Sequence, residues 1–218
     1  MKKNFFRMFA AILFCGTIAT VFTACSKDDD SSKSLPQEQG GQGQPGGQKA
    51  TKGDVTLTFV AQPKSLQFFE YDFKYVDAKG NTKTIDIDQN TTSSGSLDDL
   101  ELGFLKETIN VFAAIPEYSD IKNPFIYRVV IKDQPVGGKV TYTTTCHVKE
   151  IPSISETLQY LTPIVIPSLK LENLGREVTS SIIDFKSFKI SPEKWADYVK
   201  TIEGKQIGQA SGTVSVEN

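Results

Sequence analysis

The chain has 218 residues, with 24 lysines and arginines against 26 aspartates and glutamates, a net charge of −2, and 39% hydrophobic residues. That balance excludes the basic footprint of a nucleic-acid-binding domain, so no nucleic acid is expected as a partner. A single histidine excludes histidine-rich zinc sites, and three cysteines (Cys15, Cys25 and Cys146) are too few for a disulfide framework.

In chain order, Lys2, Lys3 and Arg7 precede an apolar run from Met8 to Phe22, interrupted by Gly16, Thr17 and Thr20. A basic head on a short apolar body is a secretory signal peptide, shorter than the ~20 residues of a membrane span. The body ends in Phe22-Thr23-Ala24-Cys25, with small residues where a signal peptidase cuts. This stretch resembles the lipobox of bacterial lipoproteins, with Phe22 where leucine is usual. The resemblance implies that residues 1–24 are removed. Cys25 would then carry palmitate-type acyl chains and become the first residue of the mature protein. More than one acyl chain holds a protein firmly on its membrane.

Ser26-Lys27-Asp28-Asp29-Asp30 follows at once. It resembles the acidic export signal of Bacteroidota-type surface-exposed lipoproteins. That implies an outer-membrane, lipid-anchored protein facing the cell exterior, with the membrane as its first partner. Three adjacent carboxylates on a flexible chain are not preorganised for a metal, so no metal site is expected there. The remainder of 25–53 is rich in Gly, Gln, Pro and Ser, with Leu35 and Ala50 as its apolar residues. Such a stretch buries too little surface to offset its ordering entropy and is expected to be a disordered tether, with an end-to-end distance of roughly 30 Å. Without Lys2, Lys3 and Arg7 the charge balance becomes 21 to 26, a net −5.

The chain from Asp54 onward is long enough for a real core; a domain of ~150 residues buries about 70% of its unfolded surface. Cys146 is its lone cysteine, so no intramolecular disulfide is expected. Alternation of period two dominates. Val55, Leu57 and Phe59 share a face, opposite Thr56 and Thr58. Phe69, Tyr71, Phe73 and Tyr75 share another, opposite Glu70, Asp72 and Lys74. The spacing predicts a hairpin of 68–77 and 82–89 around the turn Asp77–Asn81. A single helical turn is expected near Ser96–Asp99. Strands are expected at 108–115, at 125–132 (the second so apolar that a central position is expected) and, after the turn Pro135–Gly138, at 139–149.

Past Glu150 the pattern loosens. A short helix is expected at 155–161, then strands at 164–171, 179–190 (with a bulge near Lys186) and 207–216. One helix, 191–203, is well marked. Ser191 caps it, Pro192 opens it and Gly204 ends it, while Trp195, Tyr198, Val199 and Ile202 form one apolar stripe. The expected fold is mostly β: an antiparallel immunoglobulin-like β-sandwich over 54–150. A β-rich segment, 151–218, carries the helix and is either separate or part of the same domain.

Catalytic constellations are weak throughout. Cys146 and His147 are neighbours, but on a strand their side chains point to opposite faces, so they cannot act as nucleophile and base. Ser191-Pro192-Glu193-Lys194 matches S-x-x-K without its companion motifs, and Ser191 serves as a helix cap. Asp86-Ile87-Asp88-Gln89-Asn90 resembles the start of a calcium loop, but Thr91 stands where glycine must turn and Leu97 where the closing glutamate belongs. Glu70, Asp72, Asp98, Asp99 and Glu101 could supply a glycosidase pair only if the fold brought two together across a cleft. The aromatic stripe Phe69, Tyr71, Phe73, Tyr75 would stack on sugars if exposed; two phenylalanines in four positions favour a core instead. No catalytic residue and no cofactor is expected. The expected function is that of a cell-surface lipoprotein with a non-catalytic sandwich, binding an extracellular glycan or protein or joining an envelope assembly. The alternatives are a membrane-inserting, pore-forming-type β-protein, with 139–149 and 179–190 as its alternating strands, and a polysaccharide-acting enzyme.

Overall fold

The computed structural model describes residues 49–99, 103–148, 154–173, 178–179, 185–202 and 207–218. The expected signal peptide, Cys25 and Ser26 to Asp30 lie outside the described residues. Among the described residues ten strands and two α-helices follow in order: β1 (Lys52–Ala61), β2 (Phe69–Val76), β3 (Thr82–Ile87), α1 (Gly103–Ala113), β4 (Phe125–Pro135), β5 (Lys139–Val148), β6 (Leu158–Leu161), β7 (Ile164–Leu171), β8 (Val178–Thr179), β9 (Ser187–Ile190), α2 (Pro192–Ile202) and β10 (Ile207–Ser215). The protein is mostly β, and every strand pairing is antiparallel. One sheet has the order β4-β1-β7-β8, a second β10-β5-β2-β3, and β6 pairs with β9 in a small third.

The first two sheets face each other across one core. Val55, Leu57 and Phe59 of β1 meet Phe69, Tyr71 and Phe73 of β2, all essentially inaccessible to water. The Phe59 ring lies 5.5 Å from that of Tyr71 and 6.1 Å from that of Phe73. Each such side chain contributes about 1.5–3 kcal/mol by leaving water. The alternation in β1, β2 and β5 (Val140, Cys146) arises because one face of each strand is needed for this core.

The other face of the β1 sheet is covered as well. Val60, Ile126, Ile164 and Ile166 pack against Leu105 and Ile109 of α1 and against Tyr118 and Ile121 of the short helix Pro116–Lys122. Thr56 and Thr58 are therefore buried rather than solvent-facing.

Four expected elements are corrected. Residues 108–115 are not a strand: Thr108–Ala113 belong to α1, because Leu105, Ile109 and Phe112 fall at i, i+4 and i+7 and share one side of a helix, and Ala114 and Ile115 follow it as a turn. Residues 155–161 form no helix; Leu158–Leu161 is β6, held by Ile190, Lys189, Phe188 and Ser187 of β9. The expected strand 179–190 is not continuous, since β8 pairs with β7 and β9 with β6. Finally, β4 is an edge strand of its sheet, and β1 holds an inner position. It reads as apolar because both faces bury side chains at its start, Phe125 on one and Ile126 on the other. Its edge is blunted by Ser93 and Ser94. The Ser94 N–H donates to Ile126 O at 2.8 Å, the Ile126 N–H to Ser93 Oγ at 3.1 Å and the Arg128 N–H to Ser94 Oγ at 2.8 Å.

The last third of the chain completes both sheets. β7 lies beside β1, and β10 lies beside β5. The strand β1 also begins at Lys52, and Ala50 is buried, so the ordered fold starts ahead of residue 54.

Antiparallel pairing gives the molecule two unlike poles. The chain enters at one of them, beside its own C-terminus: Asn218 Nδ2 donates to Ala50 O at 3.1 Å, and the Gly137 N–H to Val216 O at 2.8 Å. Thr51 donates to Glu172 Oε1 from its N–H at 2.6 Å and from its hydroxyl at 2.9 Å, and Lys52 pairs with Asp133. β1 then runs to the far pole, where buried Gln62 ties several segments together. Its Oε1 accepts the Leu161 N–H at 2.8 Å and its Nε2 donates to Asp120, whose other oxygen accepts the Lys64 N–H at 3.1 Å.

Candidate functional site

Seven aromatic side chains converge at the far pole, from four separate stretches of sequence. Pro192 opens α2 and the Ser191 carbonyl accepts the Lys194 N–H at 3.1 Å, so the helix starts where the sequence says it should. The Ser191 hydroxyl holds the Glu193 carboxyl below its ordinary pKa, which ties the S-x-x-K serine to the helix start. The apolar stripe of α2 then sets Trp195 and Tyr198 onto the core. Trp195 meets Phe68 edge to face at 6.4 Å and Tyr198 at 6.1 Å. Tyr198 meets Phe188 of β9 at 5.6 Å, and Phe188 stacks on Tyr160 of β6 at 5.5 Å. Tyr160 in turn meets Phe69 of β2 at 4.7 Å. Phe68, Phe188 and Tyr198 stay partly exposed and form the outer layer; Tyr71, Tyr160 and Trp195 are buried beneath.

Three polar tips in this assembly are buried without a hydrogen-bond partner: Tyr71 Oη, Trp195 Nε1 and Tyr198 Oη. Ser65 and Cys146 lie beside Tyr71, and Tyr160 beside Tyr198, close enough to perturb ionisation. Burial pushes Tyr71, Tyr160 and Tyr198 upward, reinforced in Tyr71 by Cys146 and Tyr198 and in Tyr160 by Tyr198, Tyr71 and Cys146. Burial also pushes the Cys146 thiol up to about 12. All four groups are therefore neutral near pH 7.

The aromatic stripe Phe69, Tyr71, Phe73 belongs to the inter-sheet core, with Tyr75 partly buried at its end. Cys146 and His147 point to opposite faces of their sheet: Cys146 is buried, whereas His147 Nε2 lies 2.7 Å from Asp72 Oδ2 on the exposed face. On that outer face Glu70 stands opposite His147, Asp72 opposite Thr145 and Lys74 opposite Thr143, with Thr141 opposite Val76 at the end of the ladder, a largely polar surface. Asp88 closes a turn. Its Oδ1 accepts the N–H groups of Asn90 and Thr91 and the Thr91 hydroxyl, each at 2.9 Å, and these bonds, Thr91 foremost, hold its carboxyl below the usual range. Asp98 pairs with Lys106 at 2.6 Å; Asp99 ends the single turn Leu97–Asp99, and Glu101 lies outside the described residues. Among the described residues no cluster of three His, Cys, Asp or Glu is placed to hold a metal.

The helix stripe supplied two members of the assembly in advance, Trp195 and Tyr198. Tyr160 and Phe188 gave no such signal, since each sits in a four-residue strand whose only pattern is its pairing with the other.

No family model matches this chain, and no curated protein or solved structure does either.

Proposed function

We propose that this chain is a surface lipoprotein, acylated at Cys25 and exported to the outer face of the outer membrane, whose non-catalytic immunoglobulin-like sandwich binds an extracellular ligand. The observation that carries the reading is the polarity of the fold. The chain enters at the pole that also holds its C-terminus, and the aromatic assembly with its three unpartnered polar tips lies at the other. A tether that runs from Cys25 and ends ahead of Ala50 therefore presents that assembly outward, away from the bilayer.

The strand order supports the fold part of the proposal. β1, β2, β4 and β5 correspond to strands B, C, E and F of an immunoglobulin-like sandwich, with β3 as C′ and β10 as G. β7 takes the position of strand A beside β1, arriving from later in the chain. In that correspondence the assembly is built from the B–C connection (Phe68) and the long F–G connection (Tyr160, Phe188, Trp195, Tyr198), at the end where such sandwiches carry binding loops. One catalytic pairing is disfavoured, since Cys146 and His147 lie on opposite faces of their sheet and burial keeps the Cys146 thiol protonated.

The test is made in the native host. Cells fed labelled palmitate are expected to label the wild-type protein but not Cys25→Ser, and external protease is expected to degrade the protein on intact cells. Wild-type protein found free in the culture fluid and carrying no fatty acid would sink the proposal.

A further inference from the structure

We infer that β3 is a docking edge for a second copy of this chain, whose own β3 adds to it antiparallel and joins the two β10-β5-β2-β3 sheets into one. β3 is an edge strand of six residues, and no described strand lies beyond it. The edges of the other sheet are managed differently: β4 is bonded by Ser93 and Ser94, and β8 is only two residues long. A bare strand edge is a template for another strand, and such pairing is a common mode of recognition.

The hydrogen-bond parity of the hairpin fixes what the edge offers. The Asp77 N–H donates to Asn81 O at 2.9 Å, so these two residues form a bonded pair. Bonded and non-bonded pairs alternate along an antiparallel ladder. Tyr75 with Lys83 and Phe73 with Ile85 are therefore bonded pairs, and the pairs that hold Thr82, Thr84 and Asp86 are not. The backbone groups of those three residues point away from β2, towards the open edge. Asp88 comes next in the same series, and its N–H goes to Thr91 Oγ1 at 3.0 Å rather than to β2.

Charge selects the occupant and its register. Asp72 and Asp86 stand directly opposite each other across β2 and β3, and like charges so placed are destabilising. A two-fold axis at Ile85 sets Asp86 opposite Thr84 of the second copy. The Thr84 N–H then meets Asp86 O of the copy, and the Asp86 N–H meets Thr84 O of the copy, with both bonds repeated by symmetry. The Thr91 hydroxyl lies 3.5 Å from Asp86 O, which leaves the second lone pair of that oxygen for the contact. Lys74 faces Thr84 within its own hairpin. Lys74 of the second copy thus lies in the same row as Asp86, two strand spacings or roughly 10 Å away. Its stem reaches over the threonine, and its ammonium meets the carboxylate that Asp72 repels.

Antiparallel edges turn the two entry poles in opposite directions. With the entry pole as the membrane end, the reading on which this step rests, the two copies stand on facing membranes and the contact joins two cells. A six-residue edge is small, so one pair binds weakly and many pairs between two membranes bind firmly.

Sedimentation equilibrium of the full chain in density-matched detergent is expected to show a reversible dimer, with a dissociation constant of about 10 µM to 1 mM. Thr84→Pro removes an outward N–H, which an edge strand tolerates, and is expected to weaken the dimer at least about tenfold. Lys74→Asp and Asp86→Lys each put like charges into the shared row, and each is expected to weaken self-pairing at least about tenfold. Mixed in equal amounts, these two variants set opposite charges against each other at both contacts, and dimers are expected to return to within about threefold of the wild-type affinity. Lys74 and Asp86 are exposed, so the charge variants keep the test decisive even if Thr84→Pro fails to fold. A mixture no stronger than either variant alone overturns the inference. So does a wild-type chain that stays monomeric to about 1 mM, or a dimer indifferent to Thr84→Pro. Vesicles carrying the acylated wild-type chain are expected to cluster, and those carrying Thr84→Pro to stay dispersed. Dimers in detergent without clustering of vesicles would overturn the pairing across two membranes. The detergent measurement needs no acyl chain, so its failure is distinct from a failure of palmitate labelling.

Discussion

Cys146 stands directly across the β2–β5 ladder from Tyr71, in the middle of the buried polar tips, and its surroundings make an alkaline liability. The thiol ionises at about 12 in the folded chain, chiefly because burial disfavours the thiolate, against roughly 8.5 in an unfolded one. The unfolded chain therefore releases this proton first as pH rises. Stability from the group is fully present below about pH 8.5 and is lost progressively towards pH 12. Tyr71, Tyr160 and Tyr198 are shifted in the same direction, also by burial first, and add to the loss above about pH 10. The urea midpoint is expected to hold from pH 7 to 8 and to fall between pH 8.5 and 10.5. Cys146→Ala should flatten the part of that slope below about pH 10, whatever it does to stability at pH 7. A midpoint independent of pH up to 10.5 would contradict the burial of these groups.

At the scale of elements, α1 marks the boundary of what the sequence made legible. Half-buried strands announce themselves by alternation, so β2, β3, β5, β7 and β10 were readable, as was α2 with its proline, cap and stripe; β1 was readable because threonines alternate with its core side chains, although those threonines are buried too. The residues Thr108 to Ile115 were misread because they are rich in β-branched and aromatic types, and because the stripe that makes them helical starts upstream at Leu105. β6 and β9 escaped notice for another reason: a four-residue strand is too short to show a period, and its partner lies more than two dozen residues away. The site inherits that limit, since two of its rings, Tyr160 and Phe188, come from these strands. The helix assignment has a sharp consequence. On a strand, Ile109 and Val111 would share a face; on α1 they part, Ile109 buried against the sheet and Val111 54% exposed. Ile109→Ala is expected to cost about 2–4 kcal/mol and Val111→Ala no more than about 0.5 kcal/mol in urea unfolding. Equal losses at the two positions would restore the strand.

At the scale of the whole molecule, the question is whether residues up to 150 form a unit of their own. The two sheets answer through their neighbours. β1 is bonded on both sides, by β4 and by β7, and β5 is bonded by β2 and by β10. Cutting after Glu150 removes β7 and β10 together. Each sheet then has a newly bare edge on a strand that was internal, and such edges are templates for aggregation. The cut also strips the core of Leu158, Tyr160, Leu171, Ile190, Trp195 and Val214. At about 1.5–3 kcal/mol for each large side chain, the loss is as large as the 5–15 kcal/mol by which a domain is usually stable. Gln62 makes the dependence mutual, because its buried amide would lose the Leu161 N–H that occupies its oxygen. The full chain is therefore expected to unfold in one cooperative urea transition, followed by far-UV circular dichroism. The chain stopped after Glu150 should give no sigmoidal transition and should associate. A sharp transition in the shortened chain would mean that its strands pair into a stable fold without β7 and β10, and the aromatic assembly built from the later segments would then be an appendage rather than part of the same core.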